Sequence, residues 1–263
     1  MDSTTRPTAL VTGASGGIGA ALARELAQHG HDLVLAARSV EPMEALAAEL
    51  RLSGIAATVI AADLSKAGAA ASLAADIAAR GLVIDVLVNN AGLGAAGRFD
   101  RGDPARIGDI LQVNIVALTE LTRLLVPGMV ARRRGRILLV ASVAGFQPGP
   151  HMATYFASKA YVLSLGEALA CELRGTGVSV TTLCPGATAT RFFDVAGAER
   201  SLMARHLRKM MPADQVARLA YRGLIAGRRV VITGAMNRLV ALAVRHLPHG
   251  ITLRVTDLLM SED

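Results

Sequence analysis

The chain is poor in aromatic residues and in cysteine, and both shortages restrict the kind of protein it encodes. Tryptophan is absent and aromatic residues make up 3% of the 263 residues, so alanine, leucine and valine must fill the core. The two cysteines, Cys171 and Cys184, fit neither a disulfide framework nor a metal-binding motif. The composition therefore predicts a reduced, cytoplasmic protein without a metal site.

Long apolar runs are also scarce. No run approaches the ~18 uncharged residues that a membrane-spanning helix needs, although 52% of the chain is apolar. Residues 1–7 lead directly into a strand and lack the apolar segment of a secretion signal. We expect one large domain with a substantial core and no transmembrane segment.

Acidic residues are in the minority, and the formal net charge is +7. A positive net charge could bind nucleic acid, but the sequence contains no nucleic-acid recognition motif. The densest run, Arg132–Arg134, precedes an apolar strand and is typical of a solvated turn. We therefore predict no nucleic-acid partner; the surplus could attract a polyanionic cofactor or an acidic carrier protein.

Short apolar runs alternate with longer stretches rich in alanine and leucine. The strand candidates are residues 9–11, 32–36, 57–61, 83–88, 136–141, 179–183 and 229–232, and the helix candidates are 17–29, 41–53, 66–80, 103–130, 154–174 and 213–227. Near-continuous apolar strands that alternate with helices are typical of a parallel sheet covered on both faces. The pattern predicts an α/β fold with a doubly wound, seven-stranded parallel sheet in a single domain, residues 1–263.

A glycine-rich turn follows the first strand. In Thr12-Gly-Ala-Ser-Gly-Gly-Ile-Gly19, the glycines Gly13, Gly17 and Gly19 allow a tight turn and a close approach of the backbone to a phosphate. The helix that starts here offers free N–H groups and a partial positive charge to a pyrophosphate. The position between a strand and a helix favours dinucleotide binding over an ordinary turn.

The end of the second strand indicates which dinucleotide binds. Leu35-Ala-Ala-Arg38 carries no carboxylate for the ribose 2′-hydroxyl of NAD. A guanidinium instead binds a 2′-phosphate through charge-assisted hydrogen bonds. Arg38 therefore favours NADP(H) over NAD(H), with Ser15 as a possible second contact.

Tyr155 and Lys159 lie four residues apart, a spacing that places both on one face of a helix. A cation beside a phenol lowers the phenol pKa, and a tyrosine tuned in this way can exchange a proton with an alcohol or a ketone. Alone, the pair is more typical of a buried tyrosine beside a surface lysine. Ser142, at the end of the fifth strand, could donate a hydrogen bond to a substrate carbonyl or cap a turn.

Further polar residues follow other strands. Asp63-Leu64 and Asn89-Asn-Ala-Gly92 come at strand ends, where open α/β sheets bind ligands. Each is also compatible with an ordinary turn. Asn114 lies inside a helical pattern, where asparagine is a poor choice, and we expect its side chain to make a local water or backbone contact.

Taken in order, these elements resemble the short-chain dehydrogenase/reductase family in its simple, single-domain form. The matching residues are Thr12–Gly19, Asp63, Asn89–Gly92, Asn114, Ser142, Tyr155, Lys159 and Pro185-Gly186, and the resemblance covers residues 7 to about 190. Ala141 departs from the family, which often has a second serine there. The resemblance implies a Rossmann fold, an NAD(P)(H)-dependent oxidoreductase and a homodimer or homotetramer.

The resemblance also implies roles for individual residues. Tyr155 would be the general acid or base, Lys159 would lower its pKa and hold the nicotinamide ribose, and Ser142 would orient the carbonyl. Asn114 would anchor a water in a proton relay. The cofactor contacts that we expect are Gly13, Ser15, Gly17, Ile18, Gly19, Arg38, Asp63, Leu64, Asn90, Ala91, Gly92, Tyr155, Lys159, Pro185, Gly186, Thr188 and Thr190.

The substrate is predicted to be a bulky, mostly apolar ketone or alcohol. Residues 187–212, rich in Phe, Met and Arg, would form a lid. The substrate contacts that we expect are Ser142, Phe146, His151, Met152, Phe192 and Met203. Two alternatives stay open: a 3-oxoacyl-thioester reductase that docks an acidic carrier, and a non-catalytic NADP(H)-binding protein.

Residues 235–260 form a C-terminal extension with apolar residues at helical spacing. The extension could close the pocket, form an oligomer interface or lie on a membrane. We expect it to pack against the domain.

Overall fold

The computed structural model describes residues 6–197 and 210–260. Seven strands form one sheet in the order β3-β2-β1-β4-β5-β6-β9, and every pairing in it is parallel. These strands are β1 (Thr8–Thr12), β2 (Asp32–Ala37), β3 (Ala57–Ala61), β4 (Ile84–Asn89), β5 (Gly135–Val140), β6 (Val178–Cys184) and β9 (Val230–Ile232). The strand order reverses between β1 and β4, so the predicted doubly wound sheet is confirmed.

Helices cover both faces of the sheet. They are α1 (Gly17–Gln28), α2 (Val40–Leu52), α3 (Ala69–Ala79), α4 (Pro104–Leu111), α5 (Leu118–Ala131), α6 (Ala153–Glu172), α7 (Phe192–Ala196), α8 (Ala213–Ile225), α9 (Ala235–His246) and α10 (His249–Met260). One apolar cluster lies under α1, α2 and α8, and a second lies under α3, α5 and α6. Each strand contributes to both clusters because its successive side chains point to opposite faces.

The predicted helix over residues 103–130 is interrupted in the structure. α4 starts where the Asp103 carboxylate accepts the Ala105 N–H at 3.0 Å, with Pro104 in the first turn. A π-helical segment, Gln112–Ala117, then connects α4 to α5. Such segments are frequent at functional sites, and this one carries Asn114.

The stretch Pro104–Ala131 has a mean hydropathy of 1.4 over its most apolar window, and its length and composition alone would allow it to cross a bilayer. In this structure 39% of that window is buried, and one face of the stretch packs against the domain. Leu121 and Met129 of α5 are fully buried, and α5 packs against α3 and β4. We therefore interpret the stretch as a core helix of the α/β domain.

The arginine run before β5 is tied to the backbone around it. Arg132 donates a hydrogen bond to the Ile84 carbonyl at 3.0 Å, and Arg133 donates one to the Gly175 carbonyl at 3.1 Å. Arg134 lies 3.2 Å from the carboxylate of Asp85. These contacts hold loops at the amino end of the sheet, opposite the edge that carries the motifs.

Candidate active site

The glycine-rich turn lies at the carboxyl end of β1. Gly13 and Gly17 have φ values of 67° and 55°, in the left-handed region that favours glycine. A Cβ added to Gly19 would lie 2.2 Å from the carbonyl oxygen of Gly13. No described side chain caps the start of α1 at Gly16, so its first N–H groups are available to an anion, as a pyrophosphate requires. The turn therefore fits a dinucleotide.

Asn90 and Thr12 fix this turn to β4. The Asn90 side-chain amide donates to the carbonyls of Thr12 at 2.9 Å and Gly13 at 3.3 Å. The Thr12 hydroxyl accepts the backbone N–H groups of Asn90 at 3.0 Å and Ala91 at 3.1 Å. Neither residue is an ordinary turn former here, because both join two neighbouring strand ends.

Arg38 and Asp63 lie at the ends of β2 and β3. Arg38 is exposed, and Asp63 accepts hydrogen bonds from the Ser65 N–H at 3.2 Å and hydroxyl at 2.9 Å. Burial opposes ionisation of Asp63, but these hydrogen bonds and the charges of Arg38 and Lys66 outweigh it and hold the pKa of Asp63 below its ordinary value. Leu64 is buried in the core.

Tyr155 and Lys159 share one face of α6, as their spacing predicts. The Lys159 ammonium lies 5.8 Å from the centre of the Tyr155 ring. It donates a hydrogen bond to the Val140 carbonyl, 2.9 Å away, at the end of β5. A Cβ added to Gly92 would lie 3.3 Å from the same nitrogen, so Gly92 keeps the backbone close to Lys159.

The pKa values of the two residues move apart. Burial raises the pKa of Tyr155 to about 12, and a hydrogen bond with Ser142 only partly opposes this. Burial lowers the pKa of Lys159 to about 8, with the nearby Cys184 acting in the other direction. In this structure the pKa of Tyr155 is therefore raised, not lowered as expected, because burial of the phenol is the largest effect on it.

Ser142 begins the short 3₁₀ helix Val143–Phe146 that follows β5. Its hydroxyl accepts the Ala144 N–H at 3.1 Å and donates to the Pro185 carbonyl at 3.4 Å. The capping interpretation of this serine is thus correct, and the same hydroxyl also reaches Tyr155. Ser142 connects the phenol to the loop that follows β6.

Asn114 is fully buried and makes the expected local backbone contact. Its carbonyl oxygen accepts the Leu93 N–H at 2.8 Å, and its amide donates to the Leu93 carbonyl and to the Ser158 hydroxyl, each at 2.9 Å. Ser158 in turn donates to the Tyr155 carbonyl at 2.7 Å. Asn114 therefore positions both the Leu93 loop and the helix that carries Tyr155.

The segment after β6 contains the start of the predicted lid. Thr188 is buried and donates to the Gly186 carbonyl at 3.0 Å, and Thr190 lies against Gly17 of the glycine-rich turn. The Phe192 ring centre lies 5.1 Å from that of Tyr155. Two short strands that were not predicted, β7 (Thr188–Ala189) and β8 (Met211–Pro212), pair in parallel and join the two ends of the lid.

The predicted substrate residues fall into different surroundings. Met152 is buried beside Phe156 and Met260, next to Tyr155 and Phe192. Phe146 packs partly buried against the core. Met203 lies outside the described residues. A cavity of about 500 Å³ adjoins this region, and its lining includes Met152, His151, Ile110 and Phe99.

His151 contacts the C-terminal extension. Its ring nitrogen Nε2 lies 3.1 Å from the carboxylate of Asp257 on α10, and its carbonyl accepts the Gly97 N–H at 2.8 Å. With a φ of 63°, His151 adopts a backbone conformation that is rare outside glycine. The described contacts make it a link between the loop and α10.

Two residues near this region are missed by reasoning from the sequence. Arg106 donates to the carbonyls of Gly94 at 2.9 Å and Val195 at 3.3 Å, so it clamps α7 to the loop after β4. Asn237 of α9 packs directly on Gly186, where an added Cβ would lie 2.2 Å away. A lone arginine and a lone asparagine in amphipathic helices carry no pattern that marks such contacts.

Comparison with known proteins agrees with this geometry. The model of the short chain dehydrogenase family matches residues 7–201. The chain belongs to this family of oxidoreductases, which act with NAD(P). The ketoacyl reductase HetN of Nostoc sp. is 38% identical over 189 residues, which cover 71% of this chain and 65% of HetN.

Two solved structures share the fold over nearly the whole chain. A short-chain dehydrogenase from Sphingobium yanoikuyae in complex with NADPH is 36% identical, with a TM-score of 0.81 over 91% of this chain and 93% of its own. A bulky-bulky ketone specific alcohol dehydrogenase from Comamonas testosteroni is 31% identical, with a TM-score of 0.78 over 92% of this chain and 93% of its own.

Proposed function

We propose that this protein interconverts a ketone and an alcohol on a bulky, mostly apolar substrate with NADP(H). The observation that carries the proposal is the convergence of Ser142, Tyr155 and Lys159 at the end of β5. A phenol beside a serine hydroxyl and a buried ammonium suits proton exchange with a carbonyl oxygen. The glycine-rich turn at the neighbouring strand end suits the dinucleotide.

Each residue has a distinct part in the proposed reaction. Tyr155 donates its proton to the carbonyl oxygen in reduction and accepts it back in oxidation. Ser142 orients that oxygen by a hydrogen bond, and the charge of Lys159 offsets the high pKa that burial imposes on the phenol. NADP(H), when bound, supplies or accepts the hydride.

Asn114 has a positioning role in this proposal. Through Leu93 and Ser158 it fixes the backbone on both sides of Tyr155 and Lys159. A water held at this buried site would lead protons from Lys159 towards solvent. The π-helical segment presents the Asn114 side chain where both neighbours can be reached.

The substrate preference follows from the apolar wall next to Tyr155. Phe192, Met152 and Met260 pack in one cluster around the phenol. Methionine and phenylalanine side chains adapt to irregular apolar ligands. The similarity to an alcohol dehydrogenase specific for ketones with two bulky substituents supports the same class.

The decisive test of the mechanism is Tyr155→Phe. Removal of the hydroxyl should lower kcat for ketone reduction by about 10²–10⁴-fold, the usual contribution of a general acid, with the NADPH dissociation constant unchanged. Tyr161→Phe is the matched control, because Tyr161 lies on the same helix and contacts Thr119 at its exposed edge. Turnover retained in Tyr155→Phe would reject the mechanism.

The preference for NADP(H) is tested at Arg38. Arg38→Glu should weaken NADPH binding about 10–100-fold, because it removes charge-assisted hydrogen bonds and adds repulsion at the 2′-phosphate. NADH binding should change little. Arg228→Glu is the control, since Arg228 is exposed at the other edge of the sheet. Equal loss of both cofactors in Arg38→Glu would contradict the assignment.

A second candidate is reduction of a 3-oxoacyl thioester. It is favoured by the likeness to a ketoacyl reductase and by the net charge of +7, which suits an acidic carrier protein. This function predicts faster turnover of carrier-bound than of free 3-oxoacyl substrates, with a steep fall as salt is added. Turnover of apolar ketones alone, independent of salt, would favour the first candidate.

A further inference from the structure

The two C-terminal helices expose apolar side chains that a water-soluble helix would bury. In α10, Thr252 and Thr256 face the domain and are only 5% and 1% exposed. Ile251 and Val255 lie on the outer side and are 48% and 52% exposed. The helix thus places its threonines inside and its aliphatic residues outside, the reverse of the usual amphipathic arrangement.

Helix α9 shows the same outward apolar side. Asn237 and Ala241 face the domain, whereas Met236, Leu239 and Leu242 are 70%, 61% and 57% exposed. Together the two helices expose more large aliphatic residues than isolated surface residues would explain. Large aliphatic residues exposed together on one side of a helix mark an interaction site.

The helix pair is fixed to the domain by its inner side. Asn237 packs on Gly186, and the buried Met260 packs with Met152 and Phe156. The Asp257 carboxylate meets the His151 ring. Because the inner side already has these partners, the outer side is not a surface waiting to fold back on this domain.

The charges of the helix pair identify the kind of surface that would cover it. Residues 235–260 contain three arginines, 238, 245 and 254, and one acid, Asp257, and Glu262 and Asp263 follow α10 in the sequence. By helical spacing Arg254 lies between Ile251 and Leu258 on the outer side of α10. Arginines bordering an apolar helix face suit the boundary between acyl chains and anionic headgroups.

A second copy of the chain fits this surface less well. A two-fold contact would place each patch against itself. It would then bring Arg254 of one copy towards Arg254 of the other. An anionic lipid surface has complementary charge and also accommodates the aliphatic residues.

We propose that α9 and α10 bind peripherally to a membrane surface that contains anionic phospholipids. The aliphatic residues of the outer side enter the interfacial region, and Arg254 contacts the headgroups. The helices lie along the surface rather than across it, because each has only 12 residues.

The absence of tryptophan makes a direct test possible. Leu242→Trp places a single indole on the outer side of α9. Its emission should shift to the blue with vesicles of phosphatidylcholine and phosphatidylglycerol. Leu52→Trp is the matched control, since Leu52 on α2 is 91% exposed and lies outside the helix pair. No shift in Leu242→Trp, or an equal shift in the control, would overturn the proposal.

Cosedimentation of the full chain with the same vesicles gives the second measurement. Leu242→Glu and Val255→Glu should each weaken binding about tenfold, because each removes an aliphatic side chain from the interface. Arg254→Gln should weaken it about fivefold on anionic vesicles and have no effect on neutral ones. Leu52→Glu should bind like the parent chain.

Two outcomes would reject the proposal. One is failure of the parent chain to sediment with anionic vesicles. The other is self-association of the parent chain that Leu242→Glu abolishes, which would assign the surface to a second copy. Unchanged NADPH binding in every variant would show that the substitutions leave the fold intact.

Discussion

Gly19 is packed so closely that its lack of a side chain is a structural requirement. A Cβ there would lie 2.2 Å from the Gly13 carbonyl oxygen and 2.5 Å from the Asn90 amide nitrogen. The neighbouring Gly16 has nothing within 4 Å of the same position and an extended φ of 173°. Two glycines of one motif therefore have different roles.

Substitution of these glycines should separate the roles. Gly19→Ala should lower the free energy of unfolding by about 1–3 kcal/mol, the usual cost of overpacking a rigid site, and should abolish dinucleotide binding. Gly16→Ala should leave the unfolding free energy within about 0.5 kcal/mol of the parent. Urea unfolding and NADPH titration check both; equal destabilisation by the two substitutions would contradict the packing argument.

At the residue scale, the sequence indicates which side chains meet but not what their surroundings do to them. Ser142, Tyr155 and Lys159 are recognisable because each occupies a fixed place relative to a strand or a helix turn. The direction in which the Tyr155 pKa shifts is not recognisable from the sequence, because it depends on how much water Phe192 and Met152 exclude. The roles of Thr12 and Asn90 cannot be predicted from the sequence either, because the two residues contact each other across 78 residues of the chain.

Helix α7, which carries Phe192 beside Tyr155, is held to the loop after β4 by one side chain. The Arg106 guanidinium joins the Val195 carbonyl of α7 to the Gly94 carbonyl of the loop after β4. The Ala96 N–H adds a hydrogen bond of 2.8 Å to the Ala196 carbonyl. The position of Phe192 over Tyr155 depends on this clamp.

Removal of the clamp should affect substrate binding more than folding. Arg106→Leu should raise KM for a bulky ketone about tenfold, the equivalent of one lost hydrogen bond to a charged group, with kcat reduced less and NADPH binding retained. Steady-state kinetics and thermal unfolding provide the measurements. Arg101→Leu, an exposed neighbour in the preceding turn, is the control. A fall in Tm without a change in KM would assign Arg106 a purely structural role.

At the element scale, all seven strands of the sheet and the main helices could be predicted, because buried parallel strands are continuous apolar runs. The interruption of the helix at residues 112–117 could not be predicted, because the residues there fit an α-helical pattern. The pair β7 and β8 was also missed. Each has only two residues, too few for any periodicity.

Burial of Lys159 makes the stability of the whole molecule depend on pH. The pKa of Lys159 falls from an ordinary value of 10.5 to about 8 in the folded state. Between these values the unfolded chain binds more protons than the folded chain, so stability rises as the pH increases. Below about pH 8 the cost of burying the charged form is present in full.

Lys159→Met should remove this dependence. Between about pH 7.5 and pH 9.5 the parent chain should gain about 2 kcal/mol in unfolding free energy relative to the variant. Lys66→Met, at an exposed lysine, should follow the parent chain. Urea unfolding at the two pH values gives the comparison. Parallel curves for parent and Lys159→Met would show that the ammonium is not desolvated.

At the scale of the whole molecule, the fold and the edge that carries the candidate active site follow from the alternation of strands and helices. The homo-oligomer and the cytoplasmic location stay predictions. The C-terminal extension has apolar residues at helical spacing, but spacing alone does not tell which side of a helix faces the domain.

The π-helical segment at 112–117 has a consequence for the two helices that it joins. A π turn contains one residue more than an α turn, which advances everything after it by about 100° around the helix axis. The side of α4 that faces the lid is therefore set independently of the side of α5 that faces the sheet. α4 directs Arg106 towards the lid, while α5 keeps Leu121 and Met129 against the sheet. Deletion of a single residue from the segment would rotate α5 relative to α4 about the common helix axis. It would also move Asn114 away from Leu93.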